Sequence, residues 1–240
     1  MILERKARFN PVKLASMYSG GDLNALTERN ADLVNKYLRL VPSYKGAMSE
    51  MATKLEVLDD EFSLLQDHNP IHHLEQRLKS PASILEKMVR KKYPLTIESL
   101  RENVHDIAGV RVICNYISDV YQLSEMLLAQ DDVRLMRRID YIAHPKPSGY
   151  RSLHLIVTVP VHLSTGSELI PVEVQLRTVT MDAWACLEHE LNYKTDHTPS
   201  EDILSRLISC ANTAAELDRH MEAITIAGKF DIGKKQQAAG

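Results

Sequence analysis

Residues 171–178 read PVEVQLRT, an alternation of apolar and polar side chains. Successive side chains of a strand point to opposite faces, so Val172, Val174 and Leu176 share one face and Glu173, Gln175 and Arg177 the other. Apolar layers cannot bury such a strand on both sides. Either its polar face looks to solvent at a sheet edge, or a carboxylate, an amide and a guanidinium line the floor of a cleft. Strand character extends over Ile170–Thr178 and recurs at Val110–Tyr116 and Tyr150–Val161. A helix is expected near Val120–Ala129, and Ser164-Thr165-Gly166 marks a turn between the last two strands.

Helices flank this region. Residues 22–41 carry Leu23, Leu26, Leu33, Tyr37, Leu38 and Val41 near helical spacing, with Asp22 as N-cap after Gly20-Gly21. A second helix from about Ser43 to Gln66 would complete a helical hairpin. Ser80-Pro81 is a helix start, with Ser as N-cap and Pro at the first helical position. Residues 179–193 and 200–226 read as helical, and the KKQQAAG terminus as a disordered tail. The pattern predicts an α+β (mixed α/β) chain with a central mixed β-sheet between N- and C-terminal helices. Its expected parts are a helical flank (1–69), a core (70–195), a C-terminal helix (196–227) and a tail (228–240), forming one compact domain.

Composition narrows the function classes. With 44% hydrophobic residues, the chain can bury a core without disulfides or structural metal. Cys114, Cys186 and Cys210 are isolated, which suits a reducing compartment and argues against a zinc site. The N-terminal MILERKARFN lacks the apolar core of a signal peptide, and no run approaches the ~20 apolar residues of a membrane span. The cytoplasm is the expected location. A net charge of −3 argues against coating nucleic acid by bulk charge.

One local field stands against that average. From Arg77 to Lys92 there are six Lys or Arg against one acid, Glu86. In a helix starting at Pro81, Ser83, Lys87 and Lys91 form one stripe with Arg90 beside it, while Arg77 and Lys79 precede the start. The stripe is a solvated face or a polyphosphate site, and a helix N-terminus favours the anion.

Asp106, in HDIAGVRVICNY, precedes a strand. Paired with Glu173 it can hold Mg²⁺, a hard ion that takes oxygen ligands, or the two can divide metal binding and general base. His105-Asp106 abuts a β-rich run, unlike the dyad of helical HD phosphohydrolases, and the EHE at 188–190 lacks the zincin spacing. In HPKPSGYRSLH (144–154), Tyr150 can stack on a base, with Ser152 and His154 on its face and Lys146 and Arg151 in reach of phosphate or ribose.

In their order, RLKSPASILEKMVRK, HDIAGVRVICNY, YIAHPKPSGYRSLH and VEVQLRTVTMDAWACLEHELNYK resemble the synthetase domain of RelA/SpoT-type alarmone synthetases over roughly residues 70–195. The short flanks resemble the small, stand-alone class. The resemblance implies a nucleotidyltransferase-like sheet and transfer of pyrophosphate from ATP to the ribose 3′-hydroxyl of GDP or GTP, GMP being a further candidate. It implies that Asp106 binds Mg²⁺, with Glu173 at the metal and acting as general base. Arg77 and Arg111 would sandwich adenine, with Lys79, Ser83, Lys87 and Lys91 on the ATP phosphates. Tyr150 would stack on guanine, with Lys146, Arg151, His154, Gln175 and Arg177 on the acceptor side. Family resemblance also implies a homo-oligomer, a tetramer.

Ser148 stands where many relatives carry Asn, which leaves the choice among GMP, GDP and GTP open. In tetramers activated by their product, a Phe and an Asn line the product cleft; by spacing these fall near His73 and at Asp182. An acid there would repel a polyphosphate, so no product activation is expected. Rival readings are a toxin of the same family that modifies the tRNA 3′ end, and a non-catalytic nucleotide- or RNA-binding regulator. The acidic balance outside 77–92 disfavours the first; the presence of both carboxylates disfavours the second.

Overall fold

The computed structural model describes residues 30–194 and 200–237. Helix α1 (Ala31–Leu65) leads into strand β1 (Ile71–Leu78), helices α2 (Pro81–Arg90) and α3 (Ile97–Asn103), and strand β2 (Ala108–Cys114). Helix α4 (Ile117–Leu128) is followed by β3 (Arg134–Asp140), β4 (Leu153–Leu163) and β5 (Gly166–Thr178). Two helices, α5 (Val179–Lys194) and α6 (Glu201–Gln237), complete the chain.

The five strands form one mixed sheet in the order β1-β2-β5-β4-β3. Only β2 and β5 are parallel; the other pairs are antiparallel. The order puts β5 in the centre, which removes the sheet-edge reading of PVEVQLRT. Val172, Val174 and Leu176 are fully buried on the face that receives α1. Glu173, Gln175 and Arg177 therefore face the opposite side of the central strand, alongside Gly109 and Arg111 of β2.

The hairpin expected in the N-terminal flank is instead one helix, α1, running through Pro42; residues 22–29 of the first expected helix lie outside the described residues. An internal proline removes a hydrogen bond and costs about 3 kcal/mol. A single buried stripe, Leu33, Tyr37, Tyr44, Ala47, Met51, Leu55 and Phe62, continues across it. Burying each such side chain contributes about 1.5–3 kcal/mol, so the stripe outweighs the proline. Close packing is visible at Gly46, where an added Cβ would lie 2.7 Å from Val161 Cγ1 of β4.

Ser80 caps α2 as expected: its Oγ accepts from Ser83 N at 3.2 Å, with Pro81 at the first turn. Two strands were absent from the sequence reading. β1 (IHHLEQRL) has an irregular register between Ile71 and His73 that breaks its alternation. β3 is a largely exposed edge strand rich in Arg, without an apolar face to betray it. Helix α3 was also missed, and α6 extends to Gln237, into the stretch expected as a tail. Among the described residues no helix is long and apolar enough to cross a membrane.

Candidate active site

The polar face of the sheet carries a cleft lined by Glu75, Arg77, Lys79, Asp106, Gly109, Arg111, Glu173 and Gln175. Register explains the gathering. Gly109 pairs with Arg77 on one side and Glu173 on the other, and Arg111 with Glu75 and Gln175. Gly109 projects no side chain between Arg77 and Glu173, which leaves the floor open. Asp106 enters just before β2, beside this gap.

Asp106 is held by two lysines. Lys79 Nζ donates to Oδ2 at 2.7 Å, and Lys87 Nζ lies 2.8 Å from Oδ1. Oδ1 is buried and lacks a well-directed hydrogen bond, so Lys87 pairs with it by charge rather than by angle. Burial alone would raise the Asp106 pKa; the Lys79 hydrogen bond and the charges of Lys79 and Lys87 outweigh it and hold the carboxyl below its usual value. Ser83 is tied to the α2 cap, its Oγ 3.0 Å from Ser80 Oγ. Lys91 is the exposed C-cap of α2, one turn beyond Lys87. The structure thus brings Lys79 and Lys87 to Asp106, Lys79 alone of the four lining the cleft, while Ser83 and Lys91 do not contact the carboxylate.

Glu173 is fixed by neighbours on its own sheet face. His154 Nδ1 lies 3.1 Å from Oε1, and Gln175 Nε2 donates to Oε2 at 2.8 Å. Burial pushes its pKa up and Asp106 does too, but His154 and Gln175 prevail and hold it below the usual value. The site suits a hard cation in part. Asp106 offers a buried, under-satisfied oxygen, and both carboxylates reach one cleft. No cluster of three or more His, Cys, Asp or Glu occurs among the described residues. That donor set fits Mg²⁺, which keeps several waters and takes phosphate oxygens beside one or two carboxylates.

On the other side, Tyr150 is half-buried rather than an open plate. Its hydroxyl accepts from Arg177 Nη2 and lies 2.8 Å from His154 Nε2. Lys146 Nζ sits 4.5 Å from the Tyr150 centroid and 4.6 Å from that of Tyr141. Partial desolvation of this largely exposed side chain, with the Arg177 charge, lowers the Lys146 pKa against the pull of Glu173 and Glu188. A base stacking on Tyr150 must displace this ammonium or share the ring with it.

Arg177 and Arg151 are turned into the protein. Arg177, 4% exposed, donates to Asp182 Oδ1, Gln175 Oε1 and Tyr150, with Ser152 Oγ at 3.4 Å. Arg151 donates to Ala211 O at 3.1 Å and Asn212 Oδ1 at 3.1 Å on α6, and to Gly149 O. Ser148 lies in the turn closed by Gly149 N→Lys146 O at 2.8 Å. Sequence reasoning missed Glu75, Gly109 and Tyr141 as site residues. Glu75 was hidden with its unrecognised strand, whereas Gly109 inside AGVRV was a readable sign of close approach.

The loop before β4 is seated on α6 through Gly149, whose φ is +91° and whose added Cβ would lie 2.7 Å from Ala211 Cβ. Gly149→Ala is expected to cost about 1–3 kcal/mol through backbone strain and overpacking. Thermal melts of the variant beside wild type will show the loss. Nearby, Thr178 Oγ1 accepts from Met181 N and donates to buried Asp218 Oδ2 at 2.7 Å, joining α5 to α6. Burial, against hydrogen bonds from Thr180 and Thr178, raises the Asp218 pKa. A raised folded pKa makes the ionised form costly above that value, and the cost disappears as pH falls below the unfolded value. Asp218→Asn should therefore melt no lower than wild type at pH 7, with wild type gaining on it in acid.

Residues 76–198 match the family model described as a region found in RelA / SpoT proteins. The chain is 42% identical over 181 residues to the GTP pyrophosphokinase YwaC of Bacillus subtilis, covering 75% of this chain and 86% of that one. The chain belongs to the RelA/SpoT family. GTP pyrophosphokinase YjbM of the same organism is 40% identical over 186 residues, covering 77% of this chain and 86% of that one. Among solved structures, B. subtilis small alarmone synthetase 1 bound to its product pppGpp superposes with a TM-score of 0.75 at 37% identity. That match covers 79% of this chain and 96% of the synthetase, so the shared fold extends beyond the family region.

Proposed function

We propose that this RelA/SpoT-family protein is a GTP diphosphokinase that makes (p)ppGpp and AMP from ATP and GDP or GTP. The observation that carries the reading is the cleft in which Asp106 and Glu173 flank the open floor at Gly109 beside Arg77 and Arg111, with Tyr150 joined to Glu173 through His154. The similarity to GTP pyrophosphokinases over most of both chains supports it.

Arg77 and Arg111 stand on neighbouring strands at diagonal positions, suited to grip a planar adenine between guanidiniums. Lys79 and Lys87 then meet the ATP phosphates, with Ser83 and Lys91 farther along α2 as outer contacts. Guanine stacks on Tyr150 as Lys146 turns toward acceptor phosphate. Gln175 and His154 keep Glu173 ionised and oriented. Arg177 and Arg151 act by positioning Tyr150 and its loop.

In the reaction, the ribose 3′-oxygen attacks the β-phosphorus of ATP. An O3′–Pβ bond forms, the bond from Pβ to the bridging oxygen of AMP breaks, and the hydroxyl proton passes to Glu173. Asp106 and Glu173 would hold Mg²⁺, which neutralises charge developing on the phosphoryl oxygens. Positioning and charge supply most of the catalysis.

The test is turnover of ATP with GMP, GDP and GTP in competition. Formation of 3′-pyrophosphorylated guanosine nucleotide and AMP, abolished in Asp106→Asn, is expected; transfer to tRNA alone, or binding without turnover, would refute the reading. Oligomerisation into a tetramer and a cytoplasmic location accompany this proposal. Asp182 is engaged by Arg111 and Arg177 and offers no donor to a polyphosphate, so added pppGpp should leave initial rates unchanged, against the several-fold rise of a product-activated enzyme.

A further inference from the structure

One carboxylate stands between the two halves of the cleft. Asp182, in the first turn of α5, takes Arg177 Nη1 at 3.1 Å and Arg111 Nη1 at 3.3 Å on the same oxygen, Oδ1. These arginines come from adjacent strands and serve different sides. Arg111 also donates to Glu75 Oε2 at 2.9 Å, and its buried Nε has no hydrogen-bond partner. Arg177 continues through Tyr150 to His154 and Glu173, and through Gln175 to Glu173 again. An ion pair from Arg111 to Asp182, then hydrogen bonds from Asp182 through Arg177, thus connect the Arg111 pocket to Glu173, with Asp182 joining the two arginines.

We propose that Asp182 is a positioning residue that couples the two nucleotide pockets, so that filling the ATP side tightens the acceptor side. The inference rests on the assignment of Arg111 to ATP and of Tyr150 and Gln175 to the acceptor. The same Arg111 nitrogen, Nη1, serves both Glu75 and Asp182, and in this proposal stacking on adenine draws it from the longer contact, the one to Asp182. When it leaves Asp182, Oδ1 is relieved of a competing cation and binds Arg177 more strongly. A better-held Arg177 fixes Tyr150 and Gln175 in the geometry the acceptor needs, which lowers the ordering cost of binding. Coupling of this kind is reciprocal: the acceptor must tighten ATP by the same factor.

Titration calorimetry of the full chain with GDP, with and without α,β-methylene ATP, tests the proposal. In wild type the analogue should tighten GDP by about five-fold or more, and in Asp182→Asn by less than about two-fold. A role limited to holding the fold would weaken both nucleotides and leave their ratio alone. Arg111→Gln supplies a second arm if Asp182→Asn does not fold. It removes the competing cation permanently, so GDP alone should bind it as tightly as it binds wild type with the analogue. The proposal is overturned if wild type shows no coupling, if folded Asp182→Asn retains the wild-type factor, or if Arg111→Gln binds GDP no better than wild type. An Arg111→Gln variant that binds the analogue with wild-type affinity would instead overturn the pocket assignment, and the coupling with it.

Discussion

Glu173→Gln is expected to lower kcat by about 10³-fold or more while leaving the fold intact. General-base removal alone costs about 10²–10⁴-fold, and the same side chain is one of two carboxylates available to a cation. The amide preserves the shape. Its oxygen can accept from Gln175 Nε2, now 2.8 Å from Oε2, and its NH₂ can face His154 Nδ1 in the accepting tautomer. Wild-type Glu173 ionises against burial and the Asp106 charge, so removing its charge relieves one cost as it forfeits the pull of His154. These changes oppose each other, and the melting temperature should move by only a few degrees. Single-turnover release of AMP, with melts in parallel, is the measurement. A kcat within ten-fold of wild type would remove Glu173 from the chemistry, whatever the affinities.

The legibility of this site in the sequence followed from how much each residue depends on local pattern. β5 announced its two faces by strict alternation, so Glu173, Gln175 and Arg177 were grouped before any tertiary information. Alternation cannot say whether a strand is central, and only the order β1-β2-β5-β4-β3 turned a polar face into a cleft floor. Ser80-Pro81 fixed the start of α2, and with it the approach of Lys87 to Asp106. The failures have physical causes. β1 and β3 lie at the sheet edges, one with a broken register and one rich in exposed Arg, so neither carries a clean period. Pro42 read as a break because local rules end helices there, whereas a buried stripe of tertiary origin carries α1 through it. The largest shift concerns the arginines. Sequence spacing cannot tell which arginines donate to the protein's own frame, as Arg151 does to Ala211 and Arg177 to Asp182.

That distinction makes Arg177→Ala the more damaging change to the fold. The guanidinium is almost fully buried and donates to Asp182, Gln175 and Tyr150, with Ser152 beside it and the Tyr150 ring 5.1 Å from its centre. Truncation leaves the Tyr150 hydroxyl with His154 alone and Asp182 with Arg111 as its remaining cation. Removing one partner of a buried pair costs about 3–5 kcal/mol, because the other group stays desolvated. At about 2–4 °C per kcal/mol for a chain of this size, the melting temperature should fall by about 6–20 °C. Arg177→Lys keeps the charge but loses the fork that serves several acceptors at once, so it should restore part of the stability and little of the acceptor affinity. If Arg177 were chiefly an acceptor ligand, both variants would melt like wild type and differ only in KM. A melt within about 2 °C of wild type for Arg177→Ala, less than 1 kcal/mol on that scale, would show that the network is dispensable to the fold.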